Sequence, residues 1–391
     1  MTIPYGRQSI SDNDIQVVSD VLRSDFLTQG PVVPRFEAAL GNRCGAKFAV
    51  AMNSATSALH VACMALGVQP GDRVWTSPIT FVASANCARY CGADVEFVDI
   101  DPRTYNLCPS RLETKLIDAK KTGTLPKVVI PVHLSGQSCD MAAIHDLAKI
   151  YGFSIIEDAS HAVGGTYKGI PVGSCQFSDI TVFSFHPVKI ITTGEGGMAL
   201  TNDKSLADSM ARLRTHGITR DVAEMQSAPA GSWYYEQLDL GYNYRLTDIA
   251  AALGLSQFQR IDEFVSRRHE IANRYSNLFA NTSVNRPWQH PDSYSAFHLY
   301  IVRIDFGFHR TTQKDVFEEL HANGIMANLH YIPVYHQPYY QQFGYSITDY
   351  PESEKYYAEA ISLPMYPDLS VDEQSFVAKT LLSAIGEVPE K

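Results

Sequence analysis

From about residue 48 onward, short apolar runs alternate with longer stretches in which apolar positions recur at helical spacing: FAVAMNS then ATSALHVACMALG, RVWTSPITF then VASANCARYCGA, then VEFVDID. A short apolar run bounded by turn residues reads as a buried strand, and a 3.6-residue recurrence reads as an amphipathic helix. The runs KVVIPVHLSG, FSIIEDASHAVGG, DITVFSFHPVK and GGMALTN carry the rhythm to about residue 202. Strands and helices in alternation predict an α/β fold with a mostly parallel sheet. Ligands of such sheets collect beyond the carboxyl ends of the strands, which directs attention to Asn53, Asp158 and Ser184.

Between residues 215 and 240 the pattern weakens into THGITRDVAEMQSAPAGSWYYEQLDL, a polar and aromatic segment. Its length marks it as a functional loop rather than a linker, and as a candidate lid. The next stretch, RLTDIAAALGLSQFQRIDEFVSRRHEIANRYSNLF, is helical and long enough to bridge two domains. FHLYIVRID, TTQKDVFEELHANGI and MANLHYI then predict strand, helix and strand. A chain of 391 residues exceeds the roughly 250–300 at which one core stops growing. The expected division is a large domain over residues 1–258 and a smaller α+β domain over residues 259–391, with the N-terminal segment packing on the smaller one.

Composition narrows the function classes. With 45% hydrophobic and 19% charged residues the chain falls in the range of soluble globular proteins. A net charge of −10, without clustered Lys and Arg, excludes a broad nucleic-acid face. MTIPYGRQSISDND has neither the basic start nor the apolar core of a signal peptide, and no apolar run approaches the ~18 residues of a membrane span. A cytoplasmic protein is expected. The seven cysteines, without finger-like C-x-x-C spacing, fit reduced thiols. Cys87 and Cys91 lie at helical spacing and read as core packing, so no metal site is expected.

Three local patterns carry candidate chemistry. AMNSATSALH places small and hydroxylated residues where a strand turns into a helix, and such a turn offers free N–H groups at a positive helix end to a phosphate. Ser54 as an ordinary N-cap accounts for the same residues. In IIEDASHA an apolar strand delivers Glu157 and Asp158 to its end, with His161 just beyond. A carboxylate there either caps the following helix or meets a cation, since an unpaired buried charge is too costly. The protonated pyridine nitrogen of pyridoxal phosphate is a cation of this kind, and an aspartate partner keeps that ring an electron sink. In FSFHPVKIITTGEGG, Lys189 follows a later strand and precedes glycines that permit close backbone approach. An amine that forms a Schiff base and shuttles a proton must be held in such a place. Each pattern alone has a bland explanation, whereas all three in this order along one sheet match what a pyridoxal phosphate enzyme requires.

Over essentially its whole length the chain resembles the pyridoxal-phosphate-dependent sugar-nucleotide aminotransferases of fold type I. The resemblance is carried by SDFLTQGP, NSATSALH, SPITFVASAN, EDASHA, FSFHPVKIITTGEGG, GYNYRLTDIAAALGLSQ and HYIPVYHQPYY. It implies Lys189 as the catalytic Schiff-base lysine and Asp158 on the pyridine nitrogen. It further implies Ser54, Ala55 and Ser184 on the cofactor phosphate, Phe81 stacked on the ring, and His161 near the ring hydroxyl. Asn243 resembles the residue that family members insert from the neighbouring subunit, which implies a homodimer with a shared site. Thr28, Gln29, His330 and Tyr331 lie on segments that approach the sugar nucleotide in the family. The implied substrates are a UDP-linked 4-keto sugar and L-glutamate, with pyridoxamine phosphate as the intermediate form. Family members that dehydrate their sugar carry histidine at the lysine position, so Lys189 implies transamination; His186 is a separate residue of the same turn. Ile190 stands where many relatives have proline. A transaminase of a UDP-4-keto-pentose or a dTDP-4-keto sugar fits the same motifs. A regulatory protein that only binds the cofactor would need neither Lys189 nor Asp158.

Overall fold

A computed structural model describes residues 2–387. Its centre is a seven-stranded sheet, whose strands are numbered here within that sheet: β1 (Phe48–Met52), β2 (Arg73–Thr76), β3 (Asp94–Phe97), β4 (Val128–Ile130), β5 (Ser154–Asp158), β6 (Ile180–Ser184) and β7 (Gly197–Thr201). The spatial order is β1-β7-β6-β5-β4-β2-β3. β7 runs antiparallel to both its neighbours, and the other pairs are parallel. The mainly parallel α/β architecture expected from the alternating runs is therefore present.

The strands are apolar on both faces because helices cover both. Successive residues of a strand point to opposite faces, and the two cores record that alternation. Ile156, Val182 and Ala199 join Leu59 and Val61 of the helix Ala55–Ala65 in one core. Phe183, Met198 and Leu200 join Phe36 of the helix Val32–Cys44 and Ala251 of the helix Asp248–Phe258 in the other. The same alternation separates two adjacent carboxylates. Glu157 turns to His133 Nε2 at 2.7 Å and to Ser178 and Thr181, while Asp158 ends the strand at the cavity described below. Burial pushes the Glu157 carboxyl up, but His133 and the two hydroxyls more than offset this and hold it below its ordinary value.

A further core gathers Tyr275, Tyr300, Val316, Leu320, Ile361 and Leu381. It lies between the antiparallel pair Tyr300–Arg303 and Ala360–Leu363 and the helices Ile261–Leu278, Gln313–Ala322 and Val371–Ala384. Ile3 belongs to it as well, because Ile3–Pro4 pairs in parallel with Ile325–Met326. From there the N-terminal segment crosses back. Met365 N–H donates to Tyr5 O, and Asp14 accepts from Ser256, Gln257 and Arg260.

Two stretches differ from the sequence reading. The helix expected across residues 245–279 is two helices, Asp248–Phe258 and Ile261–Leu278. At the break Arg260 leaves helical geometry, and its guanidinium reaches Asp14 at 2.7 Å and Ser9 O at 3.2 Å. This tertiary ion pair, half-shielded from water, overrides a helix-compatible local sequence. The 215–240 segment contains a short antiparallel ribbon, Ile218–Thr219 with Glu236–Gln237, and leaves Trp233 and Leu240 exposed.

Candidate active site

The carboxyl ends of β1, β2, β5 and β6 face one cavity of about 530 Å³. At β1 the chain passes through Asn53 into the helix Ala55–Ala65, capped by Ser54, whose hydroxyl accepts from Ser57 N–H at 3.1 Å. The first N–H groups of this helix have no intrahelical acceptor and lie at its positive end. Ser54, Ala55 and Thr56 line the cavity there, and Ser184, the last residue of β6, lines it as well. β7 begins beside this turn at Gly197, where a Cβ would lie 2.4 Å from Ala55 N and 2.5 Å from Ser54 C. Backbone atoms cannot give way by that much, so glycine alone allows the strand to meet the helix terminus. The result is a cradle of N–H groups and hydroxyls that fits a phosphate. Gly197→Ala is expected to push the turn outward and lower phosphate-cofactor retention at least about 10-fold, at a stability cost of about 1–3 kcal/mol. Cofactor absorbance after exhaustive dialysis, compared with urea unfolding, separates the two effects.

Asp158 is buried and receives three donors: Ser84 Oγ at 2.6 Å on one oxygen, and Ser160 Oγ at 2.5 Å and Ser160 N–H at 3.1 Å on the other. A carboxylate so surrounded acts as an acceptor, and the ionised form has lone pairs left for one more donor. Its fit to a protonated ring nitrogen is therefore chemical as well as positional. Phe81, 58% exposed, lines the cavity and leaves its ring free to cover a planar ligand. A phosphate cradle, an aromatic face and a carboxylate acceptor in one cavity fit pyridoxal phosphate.

Lys189 reaches this cavity through a tight turn after β6, where its N–H donates to His186 O at 2.9 Å. Burial pulls its amine down to about 8 from an ordinary 10.5, against the upward pull of Asp158. The folded value lies below the unfolded one, so between pH 8 and 10.5 the unfolded chain binds the extra proton and stability rises with pH. Below pH 8 the full penalty applies, on the order of 3 kcal/mol at about 1.4 kcal/mol per unit. Cofactor-free Lys189→Met should accordingly be more stable than wild type at pH 7 by up to about that amount. The gap should close as pH approaches 10.5, which urea unfolding at several pH values measures.

Three buried imidazoles lie near the amine, besides the exposed His186 of its own turn. His161 accepts the Ser135 N–H at Nδ1 (3.2 Å) and lies 3.1 Å through Nε2 from the Tyr331 hydroxyl. His298 packs on His161 with ring centroids 4.3 Å apart. His330 meets the Ser362 hydroxyl at 2.9 Å and the Tyr5 ring at 5.1 Å. Burial, helped by the nearby Lys189, takes His161 and His298 well below their ordinary value and His330 to about 3. Burial, helped by Asp158, raises the Tyr331 phenol. Among these groups the Lys189 amine is the one left near working pH, as a proton carrier requires.

The cavity thus gathers Lys189, Asp158, Ser54, Ala55, Phe81, His161, Ser184, His330 and Tyr331. Thr28, Gln29 and Asn243 lie outside its lining. Thr28 bridges to Thr247, and the turn after it is anchored by Gly30 and Val32 N–H on the Asp248 carboxylate. Gln29 sits in left-handed backbone at φ 54°. Asn243 is exposed, four residues before Thr247. Sequence reasoning did not single out Tyr5, Ser84, Ser160 and His298. Ser160, two residues after Asp158, has the spacing of a local side-chain turn and was detectable; the other three come from distant segments.

Comparison with known proteins shows the family and the fold. The model of the DegT/DnrJ/EryC1/StrS aminotransferase family matches residues 8–382. Spore coat polysaccharide biosynthesis protein SpsC of Bacillus subtilis is 42% identical over 95% of this chain and 94% of its own length. A UDP-4-amino-4,6-dideoxy-N-acetyl-beta-L-altrosamine transaminase of Campylobacter jejuni is 37% identical over 99% of this chain and 98% of its own. Among solved structures, Helicobacter pylori PseC, an aminotransferase involved in the biosynthesis of pseudoaminic acid, superposes with a TM-score of 0.90 at 32% identity, covering 99% of this chain and 100% of that one. Spr1654 of Streptococcus pneumoniae in its PLP-form gives a TM-score of 0.87 at 30% identity, with 99% of each chain covered.

Proposed function

The chain belongs to the DegT/DnrJ/EryC1/StrS aminotransferase family, and from that premise we propose that it transfers an amino group from L-glutamate to C4 of a UDP-linked 4-keto-6-deoxy-N-acetylhexosamine. The product would be UDP-4-amino-4,6-dideoxy-N-acetyl-β-L-altrosamine, on the way to pseudaminic acid. The chain is a pyridoxal-phosphate-dependent sugar transaminase with a fold type I architecture. The likeness to the altrosamine transaminase over nearly the whole chain supports the proposed substrate. The single observation that carries the residue roles is the meeting of Lys189, Asp158 and the Ser54 helix terminus in one cavity.

Bound pyridoxal phosphate supplies a carbonyl for the amine and an electron sink for the carbon that loses its proton. Ser54, Ala55 and Ser184 would hold its phosphate, Phe81 would cover its ring, Asp158 would face its nitrogen, and His161 would lie beside its hydroxyl. Lys189 takes the proton from the amino acid carbon and returns one to the sugar carbon, and an amine near pH 8 can do both. His330 and Tyr331 line the sugar end. Asn243, Thr28 and Gln29 are exposed and do not line the cavity of their own chain, and they are assigned to that of a second copy in a homodimer. The exposed Phe26, Leu27, Trp233 and Leu240 on the neighbouring segments support that assignment. Functionally the chain divides at residue 258, the first part carrying the cofactor and the rest closing the sugar side.

SpsC, at higher identity, is named for spore coat polysaccharide biosynthesis and not for this product, which keeps a second reading, another sugar-nucleotide 4-aminotransferase. A panel of UDP-4-keto-hexosamine, UDP-4-keto-pentose and dTDP-4-keto sugars with L-glutamate decides between them. The UDP-4-keto-6-deoxy-N-acetylhexosamine should give the highest kcat/KM, and preference for either of the others would move the assignment to that substrate.

A further inference from the structure

The histidine cluster beside Lys189 has a fixed hydrogen-bond direction. A backbone N–H is a donor only, so the Ser135 N–H at 3.2 Å makes His161 Nδ1 an acceptor. In a neutral imidazole the proton then sits on Nε2, which donates to the Tyr331 oxygen at 3.1 Å. With that oxygen accepting, the Tyr331 hydroxyl hydrogen points elsewhere. Its residue lines the cavity, and among the described residues no other group bonds to it. His298, 3% exposed and packed at a tilt against His161, has an Nδ1 that is buried without any partner. A buried orphan N–H is rarer than a buried bare acceptor, which leaves the His298 proton on Nε2, the nitrogen available to the cavity its residue lines.

Two neutral donors, Tyr331 O–H and His298 Nε2–H, therefore flank His161 and serve one wall of the site without a protein acceptor. We propose that they form a pair that receives the carbonyl oxygen of the keto substrate, 2-oxo acid or keto sugar, and polarises its C=O bond while nitrogen adds to or leaves the carbon. The pair works by hydrogen bonding alone. His161 cannot pass a proton onward, because its far nitrogen faces a backbone N–H, so no proton leaves Tyr331. His161 is on this account a positioning residue, acting through Tyr331. Donors fixed before the reaction and shielded from water stabilise a developing negative oxygen far more than mobile water does.

This inference rests on the transaminase reading of the site and not on the identity of the sugar, so the L-glutamate half-reaction tests it alone. In pyridoxal-phosphate-loaded protein, Tyr331→Phe should slow single-turnover conversion by L-glutamate about 10²-fold, in the range of losing one such donor. The resting absorption spectrum and its pH titration should stay unchanged. His161→Gln, which can offer an amide N–H near the Nε2 position, should recover most of the rate that His161→Phe loses. Independently of turnover, ¹⁵N spectra of histidine-labelled protein should show His161 with a bare Nδ1 and a protonated Nε2. A titration of the resting cofactor that shifts in Tyr331→Phe would assign the donors to the cofactor's phenolic oxygen instead and overturn the proposal. Unchanged single-turnover rates, or a His161 protonated on Nδ1, would overturn it as well.

Discussion

Lys189→Ala is expected to lower transamination by about 10⁴-fold or more, the combined loss of the covalent attachment and of a positioned proton carrier. The buried neighbours cannot substitute. The three nearby imidazoles are held neutral far below working pH, and the Tyr331 phenol is held above its ordinary range. Removing the lysine leaves the phosphate cradle, Phe81 and Asp158 in place, so the variant should still bind pyridoxal phosphate. Its spectrum should be that of the free aldehyde, and adding L-glutamate should yield little pyridoxamine form on the wild-type timescale. A small amine added at millimolar concentration should restore part of the proton transfer. A variant that retained more than about a hundredth of the wild-type rate would remove Lys189 from the role assigned to it.

Asp158→Asn should be the next most damaging change, with a loss of about 10²–10³-fold, the range found when one preorganised electrostatic partner is removed. The amide is nearly isosteric: its oxygen can keep the Ser160 donors, and the Ser84 hydroxyl can turn to accept from its NH₂, so the fold should survive. Its NH₂ cannot accept from a protonated ring nitrogen, and the electron sink weakens. A second effect has a defined sign. Asp158 raises the Lys189 amine against burial, so without the carboxylate the amine should fall further below pH 8. The alkaline-side rise of the Lys189-dependent rate should therefore move to lower pH in Asp158→Asn even as the maximum falls. A pH profile that only scales down would mean that Asp158 does not feel the lysine charge.

The legible parts of this site were those encoded locally. Ser54, Asp158, Ser184 and Lys189 each end or follow an apolar strand, and a parallel sheet aligns such strand ends whatever the distance between them in the chain. Ser160 belongs to the same class. Tyr5 and His298 were not legible, because their places depend on long-range packing. Tyr5 is set by the pairing of Ile3 with Ile325. His298 is set by the Arg268 guanidinium, which donates to the carbonyls of Phe297, His298 and Met365 and which burial pulls down to about 9. No local pattern marks an arginine for that task. The break at Arg260 was hidden for a similar reason: its cause is Asp14, on the N-terminal helix Asp12–Leu22. Thr28, Gln29 and Asn243 were legible only as motifs, since a single chain gives them no ligand to face.

The central claim is that Lys189 and its cavity carry an amino group from L-glutamate to a UDP-linked 4-keto sugar. The most direct measurement follows the cofactor absorbance of purified, pyridoxal-phosphate-loaded protein through two additions, L-glutamate and then UDP-4-keto-6-deoxy-N-acetylhexosamine. Conversion to the pyridoxamine form on the first addition and return to the pyridoxal form on the second, both lost in Lys189→Ala, is the result predicted here. A cofactor that converts with L-glutamate but is not returned by the sugar would contradict the substrate assignment, and one that L-glutamate leaves unchanged would contradict the donor.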